Sequence, residues 1–153
     1  MKYTLWIIKE TLRLHPPVRA IPKVTAATIK LGGVKIPKNT EIFLHAAAAH
    51  RHPLYWDKPN EFIPERFDET KNKIAPFTYF PFSLGRRNCV GEKFALIESR
   101  VVLAMIAQKY FIKFADGVDP NIVLEGLQHL TTGPKYDLHI QLIPRNEKLK
   151  KDI

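Results

Sequence analysis

The sequence predicts a mixed fold, mainly α-helical with small β-sheets, and three features carry that expectation. Apolar residues recur at helical spacing over residues 2–14 and 90–109. Short runs such as "VTAATIKL", "VKIP" and "YDLHIQLIP" alternate with the two-residue period of strands. The 12 prolines cluster before residue 82 and limit that half to turns and short elements beyond its opening helix. At 153 residues the chain is long enough for one domain with a real core.

The first helix carries Leu5, Ile8 and Leu12 on one apolar stripe. It opens without a capping residue or lead-in, which leads us to expect a segment of a longer chain. "HPP" ends it, because a proline disfavours helical geometry in the residue before it. The runs "VTAATIKL" and "VKIP" meet at Gly32-Gly33 and read as a hairpin. "TEIFLHA" is then a strand and "AAAAHRH" a short helix. From Pro53 to Pro81 no period holds, yet Trp56, Phe62, Phe67, Phe77, Tyr79 and Phe80 argue for packed coil over disorder. Helix 90–109 presents Phe94, Ile97, Val101 and Met105 at intervals of three and four. "YFIKF" and "YDLHIQLIP" read as strands, "LTTGPK" as the turn leading into the latter, and "RNEKLKKDI" as a frayed polar tail.

Net charge is +9, which suits an acidic partner or simply a solvated basic surface. No nucleic-acid motif and no basic helical face accompany it, so nucleic acid is not expected as a partner. A single cysteine excludes an internal disulfide framework and fits a reducing compartment. No apolar run approaches the ~20 residues that a membrane span needs. His45, His50 and His52 lie close together, but no pair has the i, i+4 spacing of a helical zinc site.

The lone cysteine stands in "PFSLGRRNCVGEKFALIESR". Gly85 and Gly91 bracket Cys89 and let backbone approach something that a Cβ would strike. A helix starting at Val90 would direct its N-terminal dipole at the sulfur and favour thiolate. Arg87 adds a planar fork suited to a carboxylate, and Phe82 can shield the sulfur from water. These features describe a buried anionic sulfur ligand beside a planar cofactor that bears carboxylates.

The run "FSLGRRNCVG" matches F-x-x-G-x-R-x-C-x-G at every fixed position, the haem-binding loop of the cytochrome P450 family. "ETLR" resembles that family's E-x-x-R helix motif through Glu10 and Arg13, and "PERF" supplies Pro64 to Phe67. The three stand in the family's order, and the resemblance covers essentially the whole chain. It implies that residues 1–153 are the C-terminal, haem-proximal segment of a single cytochrome P450 domain whose N-terminal part is absent. Cys89 would then be the axial thiolate of haem b iron, with Phe82, Gly85, Arg87 and Gly91 around the cofactor. Arg87 would pair with a haem propionate. Lys23 stands where the family often has arginine, keeping the charge without the bidentate fork.

On spacing alone, Glu10 and Arg13 form a surface ion pair; the resemblance instead makes them, with Arg66, a buried triad. His50 is a candidate to join it, although a surface position is the simpler expectation. By similarity, Val18, Ala20, Ile21 and Leu130 would give a mainly apolar wall facing substrate, with Thr131 and Thr132 as hydroxyl contacts. The implied function is a monooxygenase that inserts one oxygen atom of O2 into a lipophilic substrate. Electrons would come from an NADPH-dependent reductase or another donor protein, docked near Arg86, Lys93 and Arg100. The closest resemblance is to endoplasmic-reticulum members, facing the cytosol and held by an N-terminal anchor outside this chain. The oxygen-side helix that delivers protons is missing, so no catalytic residue is assigned and the segment alone is expected to be inactive. The alternative is a non-catalytic haem-binding or interaction module derived from a truncated gene.

Overall fold

The computed structural model describes residues 2–119, 126–128, 131–134 and 137–145. Helix α1 spans Lys2–Leu14, and strands β1 (Ile21–Val24), β2 (Ile29–Leu31), β3 (Val34–Ile36) and β4 (Glu41–Leu44) follow. Helix α2 (Ala46–Ala49) leads into coil that holds one 3₁₀ turn, Pro64–Phe67. Helix α3 (Glu92–Lys109) runs directly into β5 (Tyr110–Phe114), and β6 (Gly126–Gln128), β7 (Thr132–Pro134) and β8 (Ile140–Pro144) complete the described elements. The described strands pair as four two-stranded antiparallel sheets: β1 with β4, β2 with β3, β5 with β8, and β6 with β7.

The Gly32-Gly33 hairpin forms as expected, with Leu31 opposite Val34. Both glycines have positive φ, 56° and 86°, which is what a two-residue turn matched to strand twist requires. Thr25 joins this hairpin to the neighbouring ladder. Its hydroxyl donates to the Pro37 carbonyl at 2.7 Å and accepts from the Thr40 amide at 2.9 Å.

Three element boundaries differ from the sequence expectation. A strand begins at Ile21, not Val24, and pairs Pro22 with Phe43; proline is tolerated there because β1 is an edge strand. Helix α3 starts at Glu92, two residues later than expected, with Gly91 as its N-cap. Thr132–Pro134 lies in β7 and pairs with β6, so these residues are ladder and not turn. Leu130 and residues 146–153 of the basic tail lie outside the described residues.

The core sits where α1, α2 and the 3₁₀ turn meet the aromatic coil. Leu14, Ala46, Ala47, Trp56, Phe67 and Phe80 are buried there. The rings of Trp56, Phe67 and Tyr79 pack with centroids 5.0–6.4 Å apart, so this part of the irregular segment is packed coil, whereas Phe62 and Phe77 of the same expected set are exposed. Tyr79 donates its hydroxyl to the Lys9 carbonyl at 3.1 Å, tying the coil to α1, and burial raises its pKa.

The helices do not bury the stripes that their sequences advertise. In α1 the buried residues are Glu10, Arg13 and Leu14. At 3.6 residues per turn these lie on the side opposite Leu5, Ile8 and Leu12, which are half-buried. In α3 the stripe of Phe94, Ile97, Val101 and Met105 is exposed, Phe94 at 71%, and only Ala104 is buried.

Trp56 is the largest buried apolar side chain and donates its Nε1 hydrogen to the Ala49 carbonyl at 3.1 Å. We expect Trp56→Ala to cost about 3–5 kcal/mol by leaving a cavity among the rings. Trp56→Phe forfeits the hydrogen bond and should cost less, about 1–2 kcal/mol. Denaturant midpoints at unchanged slope measure both.

Candidate functional site

Arg13 is fully buried at the end of α1, and all five of its N–H groups are engaged. Nε donates to Glu10 Oε2 at 2.7 Å and Nη2 to Oε1 at 2.8 Å, a bidentate pair that the i, i+3 spacing allows. Nη1 donates to the carbonyls of His50 and Pro59 at 2.8 and 2.7 Å, and Nη2 to that of Glu61 at 3.0 Å. Coil that forms no hydrogen-bonded ladder thereby gains fixed acceptors on one rigid cation. The guanidinium also lies over the Trp56 ring, 5.0 Å from its centroid.

Glu10 is equally buried and gathers the other side of the coil. Its Oε1 accepts from the Ile63 amide at 2.9 Å and from Arg66 Nε at 3.4 Å. Arg66, on the 3₁₀ turn and 12% exposed, donates onward to the Lys58 carbonyl at 2.8 Å. Glu10 therefore contacts both Arg13 and Arg66. The surface ion pair that spacing alone suggests is not what forms.

His50 corrects a second expectation. It is not at the surface but completely buried at the end of α2. Its carbonyl accepts from Arg13, while its Nε2 accepts the Phe80 amide hydrogen at 2.9 Å. Burial, first of all, lowers its pKa from 6.5 to about 4, so the ring is neutral and able to accept. Nothing in the local sequence signals this role, because Phe80 is thirty residues away along the chain.

From Phe80 the connection continues into the cysteine loop. The Phe80 carbonyl accepts from the Ser83 amide at 3.1 Å, and the Phe82 carbonyl accepts from the Cys89 amide at 2.9 Å. Gly85 has φ +86°, a conformation that favours glycine. Gly91 is different. Its φ is −85°, and an added Cβ would stand 3.8 Å from the Cys89 sulfur, in ordinary contact. Glycine at 91 thus relieves no strain in the described chain; it leaves open space beside the sulfur.

Cys89 itself is exposed, contrary to the buried ligand that its sequence setting suggests. The reason is the shape around the loop. The sulfur-bearing side opens into a cleft of about 430 Å³ between Phe82 and residues 17–23. Val18 and Ile21 form apolar wall there, and Lys23 and Arg87 bring two cations to the same cleft as the cysteine. Phe82 lines it while half-buried. Ala20 does not line it, and Thr131 is exposed elsewhere. Thr132 faces a different cavity, on the other side of the 16–19 segment, and its amide donates to the Pro17 carbonyl at 2.6 Å. Sequence reading missed Pro17, Pro81, Ser83 and Asn88 as lining residues.

Comparison with known proteins places this geometry in context. Residues 1–140 match the family model described as Cytochrome P450. The chain is similar to "Probable cytochrome P450 4p3" of Drosophila melanogaster, 37% identical over 147 residues, 95% of this chain and 28% of that protein. It is also similar to "Cytochrome P450 71D95" of Mentha spicata, 37% identical over 123 residues, 79% of this chain and 25% of that protein. "Cytochrome P450 3A13" of Mus musculus is 32% identical over 153 residues, 99% of this chain and 30% of that protein. The chain thus spans 25–30% of the length of these relatives.

Glu10→Gln removes the carboxylate from a buried guanidinium and should cost about 3–5 kcal/mol. Arg66→Ala, on the partly open edge of the network, should cost less, about 1.5–3 kcal/mol; equilibrium unfolding compares them. His50 has a depressed folded-state pKa, so its contribution is complete above pH 6.5 and falls away as pH drops toward about 4. The loss amounts to up to about 3 kcal/mol. His50→Gln, which has an acceptor but no proton to gain, should flatten that part of the stability profile.

Proposed function

The chain belongs to the cytochrome P450 family of haem-iron monooxygenases, and from that premise we propose that it forms the C-terminal, haem-proximal segment of one catalytic domain. The observation that carries this reading is the cleft. One apolar slot of about 430 Å³ holds the only cysteine of the chain together with Lys23 and Arg87. A thiol, two cations and apolar wall are the donor set that suits a flat, apolar cofactor with two carboxylates and a metal at its centre. The open space that Gly91 leaves beside the sulfur suits the same group. The residues present fit haem b.

In this reading the Cys89 sulfur would hold the haem iron, and its loop leads into α3 at Glu92. Bound there, thiolate-ligated haem supplies oxygen activation, with sulfur donation favouring O–O cleavage. Arg87 and Lys23 hold the propionates, Arg87 as a planar fork and Lys23 as a point charge. Phe82 limits water at the sulfur. Val18 and Ile21 present apolar wall to a lipophilic substrate. His50 acts through its neighbours, linking the Arg13 network to the Phe80–Phe82 turn that holds the Cys89 amide.

Electrons reach the site from an NADPH-dependent reductase or similar acidic donor. Arg86 and Lys93 are exposed beside the loop and are suited to receive it, with half-buried Arg100 further along α3. Among the described residues no helix is long and apolar enough to cross a membrane. An endoplasmic-reticulum location therefore depends on an anchor elsewhere. The exposed stripe of α3 is suited to packing against further parts of the domain, so residues 1–153 by themselves are expected to lack turnover.

Cys89→Ser should abolish the thiolate-type, red-shifted Soret band of the reduced carbon monoxide complex. A retained band sinks the ligand assignment. Arg87→Gln should speed haem loss to an acceptor protein by about 10–100-fold, the usual penalty for removing a group that steadies a metal site. Charge reversal at Lys93 should slow electron delivery and weaken its dependence on salt, since exposed charges act over a Debye length of about 8 Å at physiological ionic strength. Expressed alone with haem and reductase, residues 1–153 should show no oxygenation; turnover would mean that this segment is a complete catalyst.

A further inference from the structure

On the far side of the 16–19 segment from the cysteine lies a second cavity, of about 390 Å³. Its polar lining is cationic. Arg19 and Arg51 supply its charge, His15 adds an imidazole, and among the described residues no carboxylate lines it. The backbone fixes both arginines at the two ends of α2. The Arg19 carbonyl accepts from the Ala47 amide at 3.1 Å, and the Arg51 amide donates to the Ala48 carbonyl at 3.1 Å.

Neither guanidinium has an ion-pair partner among the described residues. Glu10 is already saturated by Arg13, Arg66 and the Ile63 amide. The arginines also act on one another and on His15. Burial first, and then Arg13 and Arg19, lower the Arg51 pKa; burial first, and then Arg51 and Arg19, lower that of His15. Half-buried arginines in mutual repulsion normally have a counter-charge, since buried charge without a partner is costly.

We propose that this cavity binds the phosphate head of a small phosphomonoester with an apolar remainder. Two guanidinium forks offer more donors than a carboxylate with two oxygens accepts, and they match the dianion of a phosphate monoester. Thr132 adds a hydroxyl to the lining, whereas the Thr11 hydroxyl is turned back onto the Ile7 carbonyl at 2.9 Å. The remaining walls, including Leu14, Pro16, Pro134 and Leu138, are apolar and suit an organic group attached to the phosphate. The site shares no lining residue with the Cys89 cleft, so it stands whether or not the haem reading does.

The test is calorimetric titration of the protein with phenyl phosphate, and separately with inorganic phosphate, at constant ionic strength set by chloride. Saturable one-to-one binding is expected, tighter for phenyl phosphate than for inorganic phosphate. Arg51→Gln and Arg19→Gln should each weaken it by roughly 10-fold or more, as loss of a charged hydrogen bond predicts. Arg51→Lys should recover only part, and Lys35→Gln, exposed and outside both cavities, should bind like the wild type. A second reading separates a ligand site from a structural one. Without ligand, Arg51→Gln should melt no lower than the wild type, because it removes a repulsion. Heats that do not saturate, equal binding by the glutamine variants, or a lower melting temperature for ligand-free Arg51→Gln would each overturn the proposal.

Discussion

A buried guanidinium is among the least tolerable groups in a protein interior, and this fold is organised around one. Arg13 has no exposed surface, yet each of its five N–H groups has an acceptor, two on Glu10 and three on coil carbonyls. The desolvation penalty of such a pair is large, and the pair endures only when its geometry is complete. That condition constrains the coil between His50 and Arg66. The carbonyls of His50, Pro59 and Glu61 must face Arg13, and the Ile63 amide must face Glu10. Coil without a ladder of its own is held in one conformation because departure would strand a charge.

The same network reaches the cysteine by a short sequence of contacts. His50 receives Arg13 on its carbonyl and Phe80 on its ring, and Phe80 begins the turn whose Phe82 carbonyl holds the Cys89 amide. A neutral ring is required for that second contact, which ties the burial of His50 to the position of the loop. The packed rings of Trp56, Phe67 and Tyr79 stand beside this path, with Tyr79 5.2 Å from the His50 ring.

The segment after α1 works as a partition. Val18, Ile21 and Lys23 face the cysteine cleft, while Pro16 and Arg19 face the cationic cavity. The Thr132 amide, bonded to Pro17, braces it from β7. The chain bends through residues 17–20, so a few residues line two chemically different sites. On α3, by contrast, Phe94, Ile97, Val101 and Met105 form an apolar surface that the described residues leave exposed.

What the sequence by itself determined is local. The helix over Lys2–Leu14, the Gly32-Gly33 hairpin, the aromatic packing of the coil and the body of α3 follow from periodicity, turn chemistry and composition, which act over a few residues. The pairing of Glu10 with Arg13 follows likewise from one helical turn. The composition of the cysteine loop was also legible, but its exposure was not. Tertiary structure decided that α1 buries Glu10 and Arg13 in place of its apolar stripe, because the hydrogen-bond partners that make this tolerable lie 37 to 53 residues away. It alone put His50 inside, separated Thr132 from Val18 and Ile21, and drew Arg19 and Arg51 to one cavity. Whether a polar group is buried depends on the partners that distant segments bring to it, and a linear pattern does not contain that distance.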